Sequence, residues 1–173
     1  MTSPSHRQLG FALTLLLLAG CATGAFDVPD QAGPAFDAER FFAGRLEGVG
    51  SLSILLQRPR KMHVSTNGRL AADGTLVLRQ HVEQEGKPAR DRQWTIRSLG
   101  GGRYAGSLSD ASGPVSGDSR GNRLHLTYPM RGGLRVDQWL TLAPDGLEAR
   151  NRMIVRKLGV VVARLEETIR KES

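Results

Sequence analysis

From Gly44 onward apolar and polar positions alternate along most of the chain. TLVLRQHV (75–82) puts Leu76, Leu78 and Val82 on one face, RQWTI (92–96) aligns Arg92, Trp94 and Ile96, and RLHLTYPM (123–130) aligns Leu124, Leu126, Tyr128 and Met130. LRVDQWLTL (134–142) and LEARNRMIV (147–155) follow. A period of two sends successive side chains to opposite faces, which is the signature of a half-buried strand. Between the runs stand Asn67-Gly68, Asp73-Gly74, Glu85-Gly86, Gly100-Gly101-Gly102, Gly121-Asn122, Gly132-Gly133 and Asp145-Gly146. Such pairs accept positive φ and make tight hairpins. The spacing predicts about nine or ten strands in an all-β antiparallel meander. A closed barrel suits a meander of that length because closure removes both edges. A two-sheet sandwich is the alternative.

Three stretches depart from alternation. FDAERFFAG (36–44) reads as one short helix, with Asp37 as its cap and Gly44 as its stop. LGVVVARLEETIRK (158–171) is ambiguous. Leu158, Val161, Val162, Leu165 and Ile169 keep helical spacing, whereas the β-branched run favours a strand. Residues 21–35 are rich in Ala, Gly and Pro without a period and read as a tether, leaving 36–171 as the single domain.

A fourth departure is the apolar run from Leu9 to Ala19, roughly 16 Å of helix at 1.5 Å per residue. A bilayer core of about 30 Å needs about 20 such residues. With His6 and Arg7 ahead of it and small residues behind, the run has the layout of a secretory signal, residues 1–20. Leu18-Ala19-Gly20-Cys21 resembles a bacterial lipobox, whose cysteine thiol takes up the diacylglycerol. Cys21 is the chain's one cysteine, so its acylation leaves no thiol for a disulfide or a thiolate metal site. These residues imply a lipid-anchored envelope protein, with Cys21 as the lipidation site. Ala22 in place of Asp favours the outer membrane, facing the periplasm, by resemblance to Gram-negative sorting rules.

The chain carries 24 basic and 17 acidic side chains, a formal charge of +7. The cations are scattered, apart from RPRK (58–61), and lack the interleaved aromatics of single-strand binders. No nucleic-acid partner is expected. Anionic head groups or envelope polysaccharide are the natural counter-charges, or the charge serves solubility alone. GDSRG (117–121) has a serine-hydrolase look without the surrounding signature. His63, His81 and His125 have no partner at metal-ligand spacing. No catalytic set, metal site or cofactor is expected, and the chain reads as a non-enzyme.

What remains are charges two residues from indoles. Arg92-x-Trp94 and Asp137-x-Trp139 each place both side chains on one strand face. Facing a barrel interior, they form an apolar wall with ions beside it, the composition of a small-molecule pocket; equally, they form a structural core pair. The chain resembles the bacterial lipoprotein family called domain of unknown function 3833, through FFAGRLEGVG (41–50), RQWTI (92–96), GRYAGSLSDASGPVSG (102–117), DQW (137–139), NRMIVRKLG (151–159) and the lipobox. That resemblance implies a lipoprotein with a calycin-like barrel, favours a strand at 158–171, and supplies no activity. The leading expectation is a tethered barrel binding a fatty-acyl or other lipid-like ligand. Trp94, Ile96, Tyr104, Leu126, Tyr128 and Trp139 would line it, Arg92 and Asp137 would stand near the rim, and Arg92 or Arg152 would meet a carboxylate. The alternative is an envelope scaffold with a side-chain-filled barrel.

Overall fold

The computed structural model describes residues 33–172. The signal segment, Cys21 and most of the tether lie outside the described residues. The chain forms a short helix, α1 (Ala38–Phe42), then ten strands: β1 (Gly44–Ile54), β2 (Arg60–Leu70), β3 (Leu76–Gln84), β4 (Arg90–Gly100), β5 (Arg103–Leu108), β6 (Val115–Arg120), β7 (Arg123–Met130), β8 (Leu134–Leu142), β9 (Glu148–Lys157) and β10 (Val160–Lys171). Every neighbour pairs antiparallel in chain order, and β10 returns to β1 to close the barrel. The ambiguous C-terminal stretch is therefore a strand. Its helical spacing yields to the nine residue pairs, Leu46↔Lys171 through Ile54↔Ala163, that seal the cylinder.

One end is plugged. Asp37 caps α1 by accepting from Arg40 N at 3.0 Å, and Phe36, Phe41 and Phe42 cluster with centroids 5.0–6.3 Å apart. The Lys171 ammonium, from the last residue of β10, donates to the carbonyls of Arg40, Phe41 and Ala43 at 3.2, 2.9 and 2.6 Å. A cation on the carbonyl end of a helix satisfies acceptors that have no internal partner. Gly68 makes room for this plug, because a Cβ there would collide with the Phe42 carbonyl. Behind the plug, Leu46, Leu76, Leu124 and Leu140 are wholly buried.

The other end carries the β1–β2, β3–β4, β7–β8 and β9–β10 turns. Ser109–Pro114 folds back over part of it: Ala111 bridges Met130, Ser112 N donates to Pro129 O, and Asp110 pairs with Arg90. The outside of the wall carries Arg, Glu, Asp and His in cross-strand pairs, which is a water-facing surface and not the apolar band of a lipid-embedded barrel.

Candidate functional site

Inside the barrel the buried apolar side chains fall into two clusters. The larger fills the plugged end and the β4–β8 side, and the smaller consists of Met62, Val64, Val82 and Leu165 towards the open end. Met153 touches both. The interior polar residues stand between them, each placed by strand alternation. Gln80 lies between Leu78 and Val82, Glu167 between Ile169 and Leu165, and Asn151 between Ala149 and Met153. Register carries the belt across strands, since Thr66 pairs with Gln80, Gln80 with Arg92, and Asn151 with Glu167. On β1 the belt passes over Gly48, where a Cβ would collide with the Glu167 carboxylate.

Arg92 is the centre of this belt. Its Nε donates to Gln80 Oε1 at 2.7 Å, and Trp94 Nε1 donates to the same oxygen at 2.8 Å. Gln80 in turn donates to Thr66 Oγ1 at 3.0 Å. The guanidinium carbon lies 5.9 Å from the Trp94 ring centre, and Trp94 meets Tyr128 edge-on at 5.3 Å. Gln80 therefore orients the guanidinium through Nε, while its two terminal nitrogens bond no described residue. Across the belt, Glu167 accepts from Asn151 Nδ2 at 2.7 Å, and the buried Asn151 Oδ1 has no hydrogen-bond partner. Burial lowers the Arg92 pKa from its ordinary value, opposed by Tyr128 and Glu167. Burial raises that of Glu167, against the Asn151 hydrogen bond and the Arg92 charge, and pushes the Tyr128 hydroxyl up to about 12. The site is thus a half-buried cation whose two terminal N–H groups bond no described residue, bounded by an indole, a phenol and aliphatic side chains. Such a group recognises a planar anion such as a carboxylate.

The structure divides the sequence-derived site residues between two faces. Arg92, Trp94, Tyr104 and Tyr128 face inward, with Trp94 4% exposed. Arg92 sits one inward position below Arg90, about 7 Å along the strand from it, and is half-buried towards the open end of β4. Asp137, Trp139 and Arg152 are on the outside. Val136, Gln138, Leu140 and Leu142 take the inner face of β8, which turns Asp137 and Trp139 outward, and Arg152 pairs with Trp139 from β9. There Trp139 stacks on His125 at 4.9 Å, His125 lies 3.6 Å from Asp118 and 3.4 Å from Asp137, and Asp137 pairs with Arg156 at 2.7 Å. Arg152 stands 3.9 Å from Glu166. The two indoles therefore do not share a wall.

Sequence reasoning also passed over Thr66, Gln80, Asn151 and Glu167. The signal was present: LEETI (165–169) alternates Leu165, Glu167 and Ile169, which puts a glutamate on the buried face. The serine of GDSRG has no histidine, because Ser119 pairs with the inward Leu124 while His125 faces out. A surface concavity of about 770 Å³ lies along β1–β4 around Glu47, Asn67, Arg79 and Asp91, and its lining includes Thr66, Gln80 and Arg92 of the belt.

The architecture has counterparts of very low sequence identity. An S-type phycobiliprotein lyase, CPES, from Guillardia theta superposes with a TM-score of 0.63 at 6% identity, over 78% of this chain and 90% of that one. Rv2717c from M. tuberculosis gives 0.57 at 14% identity, over 77% and 94%. A protein of unknown function from the DUF3598 family of Nostoc punctiforme gives 0.60 at 11%, over 80% of this chain and 50% of that one. These likenesses concern the fold alone. No curated protein matches the sequence. A family model does match, over residues 15–171, and with it the barrel, its helix and the interior belt all fall within one family: the chain belongs to the proteins of unknown function called DUF3833.

Proposed function

We propose that this chain is a lipid-tethered, non-enzymatic binding protein whose barrel takes an apolar, acyl-chain ligand with an anionic head. The observation that carries the reading is the Arg92 guanidinium, oriented by Gln80 inside the barrel with its terminal nitrogens unpaired, between two apolar clusters. Donors of a partly desolvated guanidinium that bond no described residue are costly, and an anion arriving in the barrel would satisfy them. The head group would meet Arg92, and the chain would run along Met62, Val82, Met153 and Leu165 towards the open end. Each CH₂ so buried adds about 0.8 kcal/mol. One barrel of the same fold is a phycobiliprotein lyase, which accords with a ligand-handling use of the architecture; the ligand class here is argued from this chain's own residues. The anchor would be a lipid on Cys21, holding the domain at the envelope membrane.

The second reading is a scaffold, favoured by the packing behind the plug, where Leu46, Leu76, Leu124 and Leu140 leave no room. Native mass spectrometry of protein extracted gently from membranes separates the two. The binding reading expects an added mass of a fatty acid or acyl lipid, lost in Arg92→Gln. Bare protein in both preparations, with no uptake of added fatty acid, leaves the scaffold.

A further inference from the structure

The two most exposed large apolar side chains are Leu56, 97% exposed, and Leu158, 93%. They occupy the tips of the β1–β2 and β9–β10 hairpins, which are neighbours on the open rim: β1 pairs with β10, and Leu55 N donates to Val162 O at 2.9 Å. Both leucines hold left-handed backbone, φ 63° and 49°, and they are the only non-glycine residues with positive φ among those described. That region costs a side chain like leucine about 1 kcal/mol or more, and turns of this kind ordinarily use Gly, Asn or Asp. Here the strain lifts two leucines into solvent, beside the exposed Leu55 and Val160.

Within the two hairpins the charges are of one sign, although Glu85 from the β3–β4 turn accepts from Lys61 N at 3.1 Å. The two hairpins contain Arg58, Arg60, Lys61, Arg156 and Lys157, and no acidic residue from 55 to 61 or from 156 to 160. Arg156 is held by Asp137, while Arg58, Lys61 and Lys157 are exposed. An apolar tip collared by cations fits a bilayer with anionic lipids: leucines enter the acyl boundary while basic side chains stay at the phosphates.

The tether permits that orientation. The chain enters the barrel at the plugged end, where Phe36 N donates to Gly121 O. From Cys21 to Gly33 is twelve residues, up to ~40 Å of extended chain. The eleven-residue β1 is about 36 Å long, and strand tilt makes the barrel shorter than that. The anchor therefore reaches past the wall.

We infer that the open rim, through Leu55, Leu56, Leu158 and Val160, docks on an anionic lipid surface and presents the barrel mouth to the bilayer. The inference takes its geometry from the tethered reading and is independent of what the interior binds.

The test uses the lipidated protein purified from membranes. With Cys21 acylated, Leu158→Cys provides the one free thiol for an environment-sensitive fluorophore, and Ala72→Cys, in the exposed β2–β3 turn at the plugged end, provides the control. Mixed with phosphatidylcholine vesicles containing phosphatidylglycerol, the label at 158 should shift to the blue and be quenched by lipid-embedded quencher. The response should fall without phosphatidylglycerol or in high salt, and the label at 72 should not respond. With the label moved to Val160→Cys, Leu56→Ser with Leu158→Ser should abolish the shift and leave thermal unfolding unchanged. A silent label at 158, equal responses at 158 and 72, or a shift surviving the double serine variant overturns the inference, as does a rim label silent on vesicles but cross-linked to a protein in cells. Palmitate on the same preparation reports the anchor separately, so failure of the rim and failure of the anchor read out differently.

Discussion

Glu167 is an interior carboxyl whose charged form the barrel disfavours. Burial raises its pKa above the ordinary 4.5, and Asn151 and Arg92 offset this only in part. A raised folded-state pKa favours the protonated form, so its stabilising contribution is full below the unfolded value. It is lost as pH rises through the folded one. Glu167→Gln keeps an acceptor for Asn151 Nδ2 and removes the charge. It should raise the melting temperature at pH 7, with the gain vanishing below about pH 4, where both side chains are neutral. An equal gain at both pH values would assign the effect to packing.

The same scale shows why half of the candidate site was misread. Arg92-x-Trp94 and Asp137-x-Trp139 look alike in isolation, and an indole argues for burial at either place. The neighbours decide. Trp94 shares its phase with the apolar Ile96, whereas Trp139 is out of phase with Leu134, Val136, Leu140 and Leu142. One polar intruder on the inner face, Gln138, obscured that phase. A side chain's face is set by its strand's majority, not by its own hydrophobicity.

At the scale of elements, turns and caps were legible because their chemistry is local. Asp37 begins α1, and the Gly-containing pairs mark hairpins between the observed strands, except Asn67-Gly68, which lies within β2, where Gly68 makes room for the plug instead of turning the chain. The partner of the helix's other end was not legible, because Lys171 lies at the far end of the sequence and meets α1 only once β10 has closed on β1. That contact gives a prediction. Lys171→Ala removes three charge-assisted hydrogen bonds from the plug and should destabilise the protein by about 1–2 kcal/mol in denaturant titration. Amide exchange should quicken first in α1 and β10. Uniform quickening would show that the plug and barrel open only together. The three surface histidines teach the same lesson: alone in sequence, each meets a carboxylate across a strand pair, as His81 meets Asp91 at 2.7 Å.

At the scale of the whole molecule, the barrel creates what no segment contains. Thr66, Gln80, Arg92, Asn151 and Glu167 come from five strands, and only closed registry sets them at one level between two apolar clusters. Alternation predicts a cylinder with a greasy interior. The polar belt follows from stacking the registers, which requires knowing which strand neighbours which. The central claim is that this belt receives an anionic head through Arg92, and one measurement tests it directly: equilibrium binding of a long-chain fatty acid and its methyl ester to the protein and to Arg92→Gln. The acid should bind at one site and lose about 30-fold in the variant, the equivalent of ~2 kcal/mol for a partly desolvated ion pair, while the ester should change little. Equal losses for acid and ester, or no saturable binding of either by folded protein, would contradict it.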